Sequence, residues 1–457
     1  MYDRTWVWVD EYWTQGTKGN GFSGNYLSYP GQKTFNQLHF CMAALFLVYS
    51  NQNYSPFPMI DYLYGKQEES GAIRSDYDIE EGSAVYAVDN PEGVCSPLFS
   101  YVEYTFYHKI GNKKRLKEIV PILEKHFDWL KEHFLRENGL YSVPPSACML
   151  GNVDRGAMYY PVDFNAQLAV NALYLSAIGD ILNDKELSFR YKRLYFSLKT
   201  RINSLMWNAE EMFYYDLDVK ERQIPRKHIG AYWTLLAEIP NEERADAFIA
   251  HLSDPDGFGT ENPFPTICAN DPAFSEQGDG YNGGVVPYHT FMVVKGLERY
   301  GQFEFARECS IRHLYFILDT LHPNGEDVGD VWEAYRPSGE GPSSPTNSDP
   351  DIPKQRFVHM IGLITITLMI EDIIGLVISL PRKTVDWTMT TLEAMGIEGL
   401  SLKRNMITIL SNKQARGWEI RLESEKLYYF TIEILDEKKK KTLPIPSGKC
   451  SMLIDKL

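Results

Sequence analysis

Apolar residues recur at helical spacing through most of the chain between residues 34 and 380. In residues 113–134 they fall every three or four positions, at Leu116, Ile119, Val120, Leu123, Phe127 and Leu130. This period is typical of an amphipathic helix, and pairs such as Gly111-Asn112 stop one helix before the next begins. The pattern predicts helices over residues 34–50, 57–68, 96–110, 113–134, 162–182, 185–207, 228–237, 241–252, 287–300, 303–321 and 354–373.

Short links join these helices in pairs, and long loops separate the pairs. Gly111-Asn112 and Asn183-Asp184 are short links, whereas the long loops cover residues 68–95, 135–161, 207–227, 253–286 and 322–353. Helical hairpins with every long loop on the same side are what a closed ring of hairpins would produce. Because functional sites are usually built on loops that a rigid scaffold holds, we expect the site at the loop end of the ring.

The two ends of the chain have other patterns. Residues 1–33 are rich in Trp and then in Gly, which predicts a long loop and a candidate lid. After about residue 386, apolar and polar residues alternate in stretches such as 407–410, 418–423 and 428–435, which predicts strands. We therefore predict three parts: an N-terminal segment (1–33), a helical domain (34–385) and a small β-domain (386–457) that packs on it.

Composition narrows the possible partners. The chain is 44% apolar, which is enough for a sizeable core, and its net charge of −15 with no basic face argues against a nucleic-acid partner. Its 29 Tyr and 9 Trp suit both large cores and surfaces that stack on sugar rings or flat ligands. Six scattered cysteines without a CxxC pair predict no zinc site and no disulfide framework. No other metal and no cofactor is predicted.

Membrane attachment is not predicted either. The apolar run 361–378 contains Thr365, Thr367, Glu371 and Asp372, so we expect a buried helix and not a membrane span. No signal peptide opens this chain. The expectation is a soluble protein, either cytoplasmic or exported after loss of a leader, whose oligomeric state is left open.

Two acidic residues stand where catalytic groups are expected. Asp154 lies in GNVDRGAMYYPVDFN (151–165), a Gly-flanked loop directly before the predicted helix 162–182. Glu333 lies in GDVWEAYRPSGEG (329–341), within another long loop and beside aromatic residues. Glycoside hydrolysis needs two carboxyl groups across the bond that breaks, one to protonate the leaving oxygen and one to activate water or attack. Asp154 and Glu333 are the pair that we predict for this chemistry.

Four motifs, three of them in two parts, resemble those of a known group of enzymes. They are Gly151–Arg155 with VDFN (162–165), LMW (205–207) with FYYD (213–216), YNGGVVP (281–287) with GLERYG (296–301), and EAYRPSG (333–339). In this order they resemble motifs of the (α/α)6-barrel glycosidases of the trehalase, processing glucosidase I and mannosylglycerate hydrolase group. The resemblance covers about residues 35–380.

The resemblance implies a mainly α fold, an (α/α)6 toroid, and a carbohydrate substrate. It implies that Asp154 is the general acid and Glu333 the general base of an inverting glycosidase that acts on an α-linked glycoside or an oligosaccharide end. The Arg and Trp of the family motif are missing from residues 281–287, so the sugar is not implied. Alternatives are an α-L-rhamnosidase-like barrel, which nominates the same two residues, and a carbohydrate-binding barrel without turnover. A lyase or epimerase would rest on Tyr288 and His289.

Five further residues are candidates for substrate binding: Arg74, Arg155, Tyr281, Asn282 and Trp332. Tyr281 and Trp332 stand in polar, Gly-rich loops, which favours a role as stacking platforms. Arg155 is expected either to bind a sugar hydroxyl or to pair with a carboxylate. Arg74 is expected either to approach the site or to be an exposed loop residue. We expect Asp163 to cap the helix 162–182 or to fix the loop before it.

Overall fold

The structure is a computed structural model that describes residues 1–50, 52–87, 90–150, 153–322, 329–344, 360–389, 394–403, 405–436 and 439–455. Its α-helices are α1 (Tyr2–Glu11), α2 (Gln37–Leu47), α3 (Phe57–Gly65), α4 (Phe99–Ile110), α5 (Lys113–Phe134), α6 (Val162–Leu182), α7 (Lys185–Leu205), α8 (Trp233–Leu236), α9 (Glu242–Ser253), α10 (Pro287–Arg299), α11 (Phe303–Leu321), α12 (Met360–Leu363) and α13 (Thr365–Thr367), which Leu368–Ile373 continues as a π-helix.

Short strands lie between the helices, and longer strands follow them. They are β1 (Trp13–Gln15), β2 (Asn25–Leu27), β3 (Thr34–Asn36), β4 (Asp76–Asp78), β5 (Trp207–Asn208), β6 (Phe213–Tyr214), β7 (Ala334–Tyr335), β8 (Pro342–Ser343), β9 (Leu376–Ser379), β10 (Thr384–Met389), β11 (Ala394–Leu402), β12 (Asn405–Gln414), β13 (Gly417–Ser424), β14 (Tyr429–Asp436), β15 (Lys439–Ile445) and β16 (Lys449–Asp455).

Within the described residues, six inner helices form a closed ring. Helix α2 packs on α4, α4 on α6, α6 on α8, α8 on α10, α10 on α12, and α12 packs back on α2. Helices α6 and α10 are buried on nearly every side, as expected for a helix in the middle of a large core. Helices α5, α7 and α11 bury one face each against this ring. The predicted (α/α)6 toroid is confirmed; residues 354–359 of the last predicted helix lie outside the described residues.

The short links end one helix and begin the next. Gly111 adopts a left-handed conformation (φ 76°) that closes α4, and the side chain of Asn112 then accepts a hydrogen bond from the backbone of α5. Asn183 (φ 60°) and Asp184 do the same between α6 and α7. Since the long loops come before the inner helices α4, α6, α8, α10 and α12, they gather at the amino-terminal ends of those helices.

The N-terminal segment is more ordered than the predicted long loop. Residues 2–11 form a helix, and β1 pairs with β2 as a hairpin. The loop prediction is wrong here because only Thr5, Trp8 and Val9 of α1 are buried, too few for a clear helical period. Phe22 and Tyr26 join an aromatic cluster with Phe35, Phe40 and Tyr62, so the segment packs on the barrel.

The C-terminal part forms two four-stranded sheets, with strand orders β15-β14-β10-β9 and β11-β12-β13-β16. All neighbouring strands are antiparallel except β10 and β14. This part packs on the barrel: Leu380 N donates to His108 O (2.7 Å), and Trp387 Nε1 donates to Ile374 O (2.7 Å). The strands begin at Leu376, before residue 386, and the division of the chain into three parts stays a prediction.

At the end of the barrel opposite the long loops, a buried ion cluster joins α10 to the π-helix. Lys295 Nζ lies 2.8 Å from Asp372 Oδ1, 2.9 Å from Glu371 Oε2 and 3.2 Å from Glu298 Oε2. Burial opposes the charge on Lys295, but the three carboxylates outweigh it and raise the pKa of this amine. Across the described residues, no helix is long and apolar enough to span a membrane.

We expect Gly179→Ala to destabilise the barrel. A Cβ on Gly179 of α6 would lie 2.6 Å from Ser188 N and 2.9 Å from Ser188 Cα in α7, so the two backbones would have to separate. Overpacking of this kind costs about 1–3 kcal/mol, more than the roughly 1 kcal/mol that Ala gains over Gly in a helix. Urea unfolding measures the difference.

Gly65→Ala in α3 is the matched control, because nothing lies within 4 Å of its added Cβ. This variant should be at least as stable as the natural protein. Equal stability of the two variants would show that α6 and α7 do not cross as closely as the structure indicates.

Candidate active site

The Asp154 loop and Glu333 both border the start of α10. Tyr288, the second residue of this helix, donates a hydrogen bond to Met149 O (2.6 Å), five residues before Asp154. Burial raises the pKa of Tyr288, and the neighbouring Tyr281 and Glu333 raise it further. The phenol of Tyr288 therefore lies close both to the Asp154 loop and to the Glu333 carboxyl group.

Glu333 is a buried carboxyl group at the loop end of the barrel. It directly precedes β7, which pairs with β8 and also bridges to Val285 just before α10. The residue is 9% exposed, and burial raises the pKa of its carboxyl group to about 7. Among the described residues, no cation forms an ion pair with it. A carboxyl group in this environment exchanges a proton near neutral pH, as catalytic acids and bases do.

Three tyrosines surround Glu333. Tyr281, at φ 62°, and Tyr288 are 8% and 2% exposed, while Tyr29 of the N-terminal segment is half-buried. Burial and the Glu333 charge raise the pKa of Tyr281, and burial, Glu333 and Asp76 raise the pKa of Tyr29 to about 12. The described surroundings of Glu333 are therefore rich in tyrosine.

Trp332 and Asn282 are both half-buried, and they lie in two different long loops at the loop end of the barrel. Trp332 N donates a hydrogen bond to Tyr335 Oη at 2.9 Å, which fixes the backbone next to Glu333. Asn282 accepts through its backbone oxygen from Ser275 N (2.8 Å). Their predicted contacts with a sugar, like that of Tyr281, stay predictions.

Asp154 has a different environment from Glu333. Its side chain is 83% exposed, and its Oδ1 accepts a hydrogen bond from Gly156 N at 2.9 Å. Arg226 lies 3.7 Å from Asp154 Oδ2, also donates to the backbone oxygen of Asp154, and pairs with Asp271 at 3.0 Å. Gly151 and Asn152, which begin the predicted loop, lie outside the described residues. The carboxylate is thus held by its loop but open to solvent.

Arg155, next to Asp154, is clamped by two buried carboxylates. Its guanidinium donates to both oxygens of Asp216 (2.7 and 2.7 Å) and to both oxygens of Asp163 (3.0 and 2.7 Å). His228 Nε2 lies 3.1 Å from Asp216, whose other oxygen accepts from Val162 N at 2.8 Å. Burial works against the charge of Asp216, but Arg155 and His228 outweigh it and hold its pKa well below the ordinary value.

This cluster ties the Asp154 loop to the start of α6. Of the two roles expected for Arg155, the structure shows the pairing with carboxylates; a sugar contact stays a prediction. Asp163 fixes the loop and does not cap α6, because Pro161 occupies the N-cap position. Arg74 is not an exposed loop residue: it is 1% exposed, bonded to Glu68 (2.7 and 2.9 Å) and stacked over Trp129, and its sugar contact also stays a prediction.

Sequence reasoning missed three residues of this region. Asp216 could have been found from the sequence, because it ends the FYYD segment (213–216) that carries the family resemblance. His228 and Tyr29 had no local signal. His289, the basis of a lyase or epimerase, is fully buried and burial lowers its pKa to about 3, so its ring is not placed to take a proton from a substrate.

Comparisons with known proteins agree with this fold. Residues 150–344 match the mannosylglycerate hydrolase MGH1-like glycoside hydrolase domain, and residues 375–457 match the C-terminal domain of trehalase. An uncharacterized protein of Borreliella burgdorferi is 52% identical over 92% of this chain and 89% of its own length. The cytosolic neutral trehalase of Kluyveromyces lactis is 24% identical over 47% of this chain and 29% of its own length.

Solved structures share the barrel at low sequence identity. The mannosylglycerate hydrolase of Thermus thermophilus in complex with glucose superimposes with a TM-score of 0.64 at 16% identity, over 80% of this chain and 98% of that one. An α-L-rhamnosidase from Dictyoglumus thermophilum gives 0.64 at 13% identity, over 91% of this chain and 46% of that one. The neutral trehalase of Saccharomyces cerevisiae gives 0.52 at 13% identity, over 73% of this chain and 70% of that one.

The ring of helices and the matched domains together define a glycosidase of the (α/α)6-barrel class. Within this class the chain is a trehalase-like and mannosylglycerate-hydrolase-like glycoside hydrolase, as its motifs predicted.

We expect Arg155→Lys to destabilise the protein strongly. A lysine cannot donate to Asp163 and Asp216 in the two-sided geometry of the guanidinium, so a buried carboxylate loses its partner. Breaking a buried ion pair costs about 3–5 kcal/mol. Thermal and urea unfolding at pH 7 measure the change.

Arg421→Lys is the control, since Arg421 pairs with Glu423 at 2.8 Å and the two side chains are 60% and 33% exposed. An exposed pair contributes about 0–1 kcal/mol, so this variant should be close to the natural protein. Equal losses in the two variants would contradict the anchoring role of the Arg155 clamp.

Proposed function

We propose that this glycosidase hydrolyses an α-linked glycoside, or the end of an oligosaccharide, with inversion at the anomeric carbon. The observation that carries the proposal is Glu333, a buried carboxyl group whose pKa is raised to about 7. It stands at the loop end of the barrel, near the loop of a second, solvent-open carboxylate, Asp154. An inverting enzyme needs one carboxyl group on each side of the scissile bond, with water beside the base.

In this proposal Glu333 is the general base. It takes a proton from the attacking water, and the oxygen of that water forms the new bond to the anomeric carbon as the glycosidic bond breaks. A base works best when its pKa lies near the pH of the reaction, and burial places Glu333 there. Asp154 is the general acid, which gives its proton to the leaving oxygen from the solvent side.

The neighbouring residues are proposed to hold the sugar and the loops. Tyr281 and Trp332 offer aromatic faces for the sugar ring, and Asn282 offers an amide for its hydroxyl groups. The Arg155 clamp keeps the Asp154 loop in one position. Support for a small α-linked substrate comes from the names of relatives, which include trehalases and a mannosylglycerate hydrolase.

The substrate can be found by a screen of nitrophenyl α-glycosides, including the α-L-rhamnoside, together with α-linked disaccharides. NMR of the first-formed product then shows whether an α-glycoside releases the β-anomer, as inversion requires. Release of the α-anomer would contradict the proposed mechanism.

We predict that Asp154→Asn and Glu333→Gln each lower kcat by about 10²–10⁴-fold, the usual contribution of a proton-transfer group. The two variants should differ with a glycosyl fluoride, whose leaving group needs no protonation. Asp154→Asn should recover much of its activity with this substrate, whereas Glu333→Gln should not, because the attacking water still lacks a base. Steady-state kinetics on both substrates measures the difference.

Glu340→Gln, an exposed position in the same loop as Glu333, is the control and should keep full activity. Equal rescue of both site variants by the fluoride would remove the assignment of roles. Full activity of either variant would show that its carboxyl group is not catalytic, and absence of turnover on every glycoside would favour a carbohydrate-binding barrel.

The pH dependence gives a further prediction. The base must be ionised and the acid protonated, so kcat/KM should change with pH in a limb at the Glu333 pKa of about 7. A pH–rate profile from about pH 5 to about pH 9 measures this limb, which should be absent from the residual activity of Glu333→Gln. A profile without a limb near 7 in the natural protein would contradict a catalytic role for Glu333.

A further inference from the structure

The N-terminal segment brings Tyr29 to the start of α2. Tyr29 N donates to Gln32 Oε1 (3.2 Å), and Gln32 in turn donates to the backbone of Thr34 (2.8 Å). The neighbouring Ser28 N donates to Tyr12 O (3.0 Å). The ring of Tyr29 lies 6.3 Å from that of His39, in the first turn of α2. This turn is thus covered by a segment that is folded and hydrogen-bonded.

The Glu333 loop reaches the same region from the other side. Helix α2 packs on α12, and the Glu333 loop is pressed against α12 at Gly362. A Cβ on Gly362 would lie 2.5 Å from Val331 Cγ1 and 2.9 Å from Trp332 O, so there is no space between the two segments. Tyr29 and Glu333 therefore approach each other beside α2, although the residues are far apart in the sequence.

The three tyrosines around Glu333 are not equally buried. Tyr281 and Tyr288 are 8% and 2% exposed, whereas Tyr29 is half-buried. The Glu333 charge raises the pKa of all three phenols, so all three lie near its carboxyl group. Tyr29 is the most exposed of the three.

We infer that Tyr29 forms the solvent-side wall beside Glu333 and is a positioning residue that keeps bulk water, but not the attacking water molecule, away from this carboxyl group. The effect of Tyr29 on catalysis rests on the proposed function, whereas the inference that Tyr29 shields Glu333 from bulk water does not. Two other charged groups lie around these tyrosines. Asp76 raises the pKa of Tyr29 and accepts hydrogen bonds from Thr34 (2.9 Å) and Asn36 (3.0 Å). Asp163 raises the pKa of Tyr288.

The test is a titration of Glu333 that is monitored by NMR in protein labelled with ¹³C at the glutamate carboxyl carbon. The signal of Glu333 is assigned by its loss in Glu333→Gln. In the natural protein the pKa should be about 7, since burial raises it from 4.5. Tyr29→Ala opens the wall to water, so the pKa should fall toward 4.5. Tyr29→Phe keeps the ring and should leave the pKa of Glu333 near 7. Tyr29→Trp also keeps an aromatic ring at this position and should leave the pKa near 7. It supplies a second measurement if Tyr29→Ala does not fold.

Tyr54→Ala is the matched control. Tyr54 is also half-buried and holds the N-terminal segment through Trp6 and Asp10, but the Glu333 charge does not act on it. An unchanged Glu333 pKa in Tyr29→Ala, or an equal fall in Tyr54→Ala, would overturn the inference.

The titration of Glu333 tests the role of Tyr29 independently of the proposed function. If Glu333→Gln stays fully active, the proposed function fails while the titration still decides whether Tyr29 is the wall. If both hold, the limb of the pH–rate profile at the Glu333 pKa should move to lower pH in Tyr29→Ala and stay in place in Tyr54→Ala.

Discussion

The site depends on the buried clamp between Arg155 and the carboxylates of Asp163 and Asp216. Asp163 is in the first turn of α6, and Asp216 follows β6, so one guanidinium joins a loop, an inner helix and a strand. Two carboxylates and one arginine leave a net negative charge in the core, and His228 at 3.1 Å completes the cluster. Such a cluster is costly to bury unless every member is bonded, which makes the position of the Asp154 loop well defined.

Around this anchor, the structure gives its two candidate catalytic carboxyl groups opposite environments. Glu333 is buried among tyrosines, no cation of the described chain pairs with it, and its pKa rises to about 7. Asp154 is open to solvent and close to Arg226. Glycosidases commonly separate the tasks of two carboxyl groups through such differences in environment. The roles proposed for Asp154 and Glu333 are those that the order of the family motifs implies.

The barrel explains why groups from such distant segments meet. Each long loop precedes an inner helix, so the segments that carry Asp154, Tyr281 and Glu333 all reach the same end of the ring. Lys295 with its carboxylates and the C-terminal sheets lie at the opposite end. The N-terminal segment adds Tyr29 to the loop end, although it lies outside the ring of inner helices.

Local patterns in the sequence predicted the helices of the barrel and placed the candidate site at the loop end of the ring, although they missed α1. Helical period and stop signals act over a few residues, so the boundaries of α5, α6 and α7 could be predicted from Gly111-Asn112 and Asn183-Asp184. The motifs also pointed to Asp154 and Glu333 as the candidate catalytic pair.

Only the tertiary structure decided what surrounds those residues. The burial of Arg74 on Glu68, the clamp on Arg155 and the approach of Tyr29 to Glu333 depend on contacts between segments that local patterns do not encode. The pKa of Glu333 is of the same kind: burial sets it, and burial depends on how α2, α12 and three distant tyrosines pack together. A local sequence pattern indicates which residues are candidates for catalysis. The desolvation that shifts their pKa values depends on the whole fold.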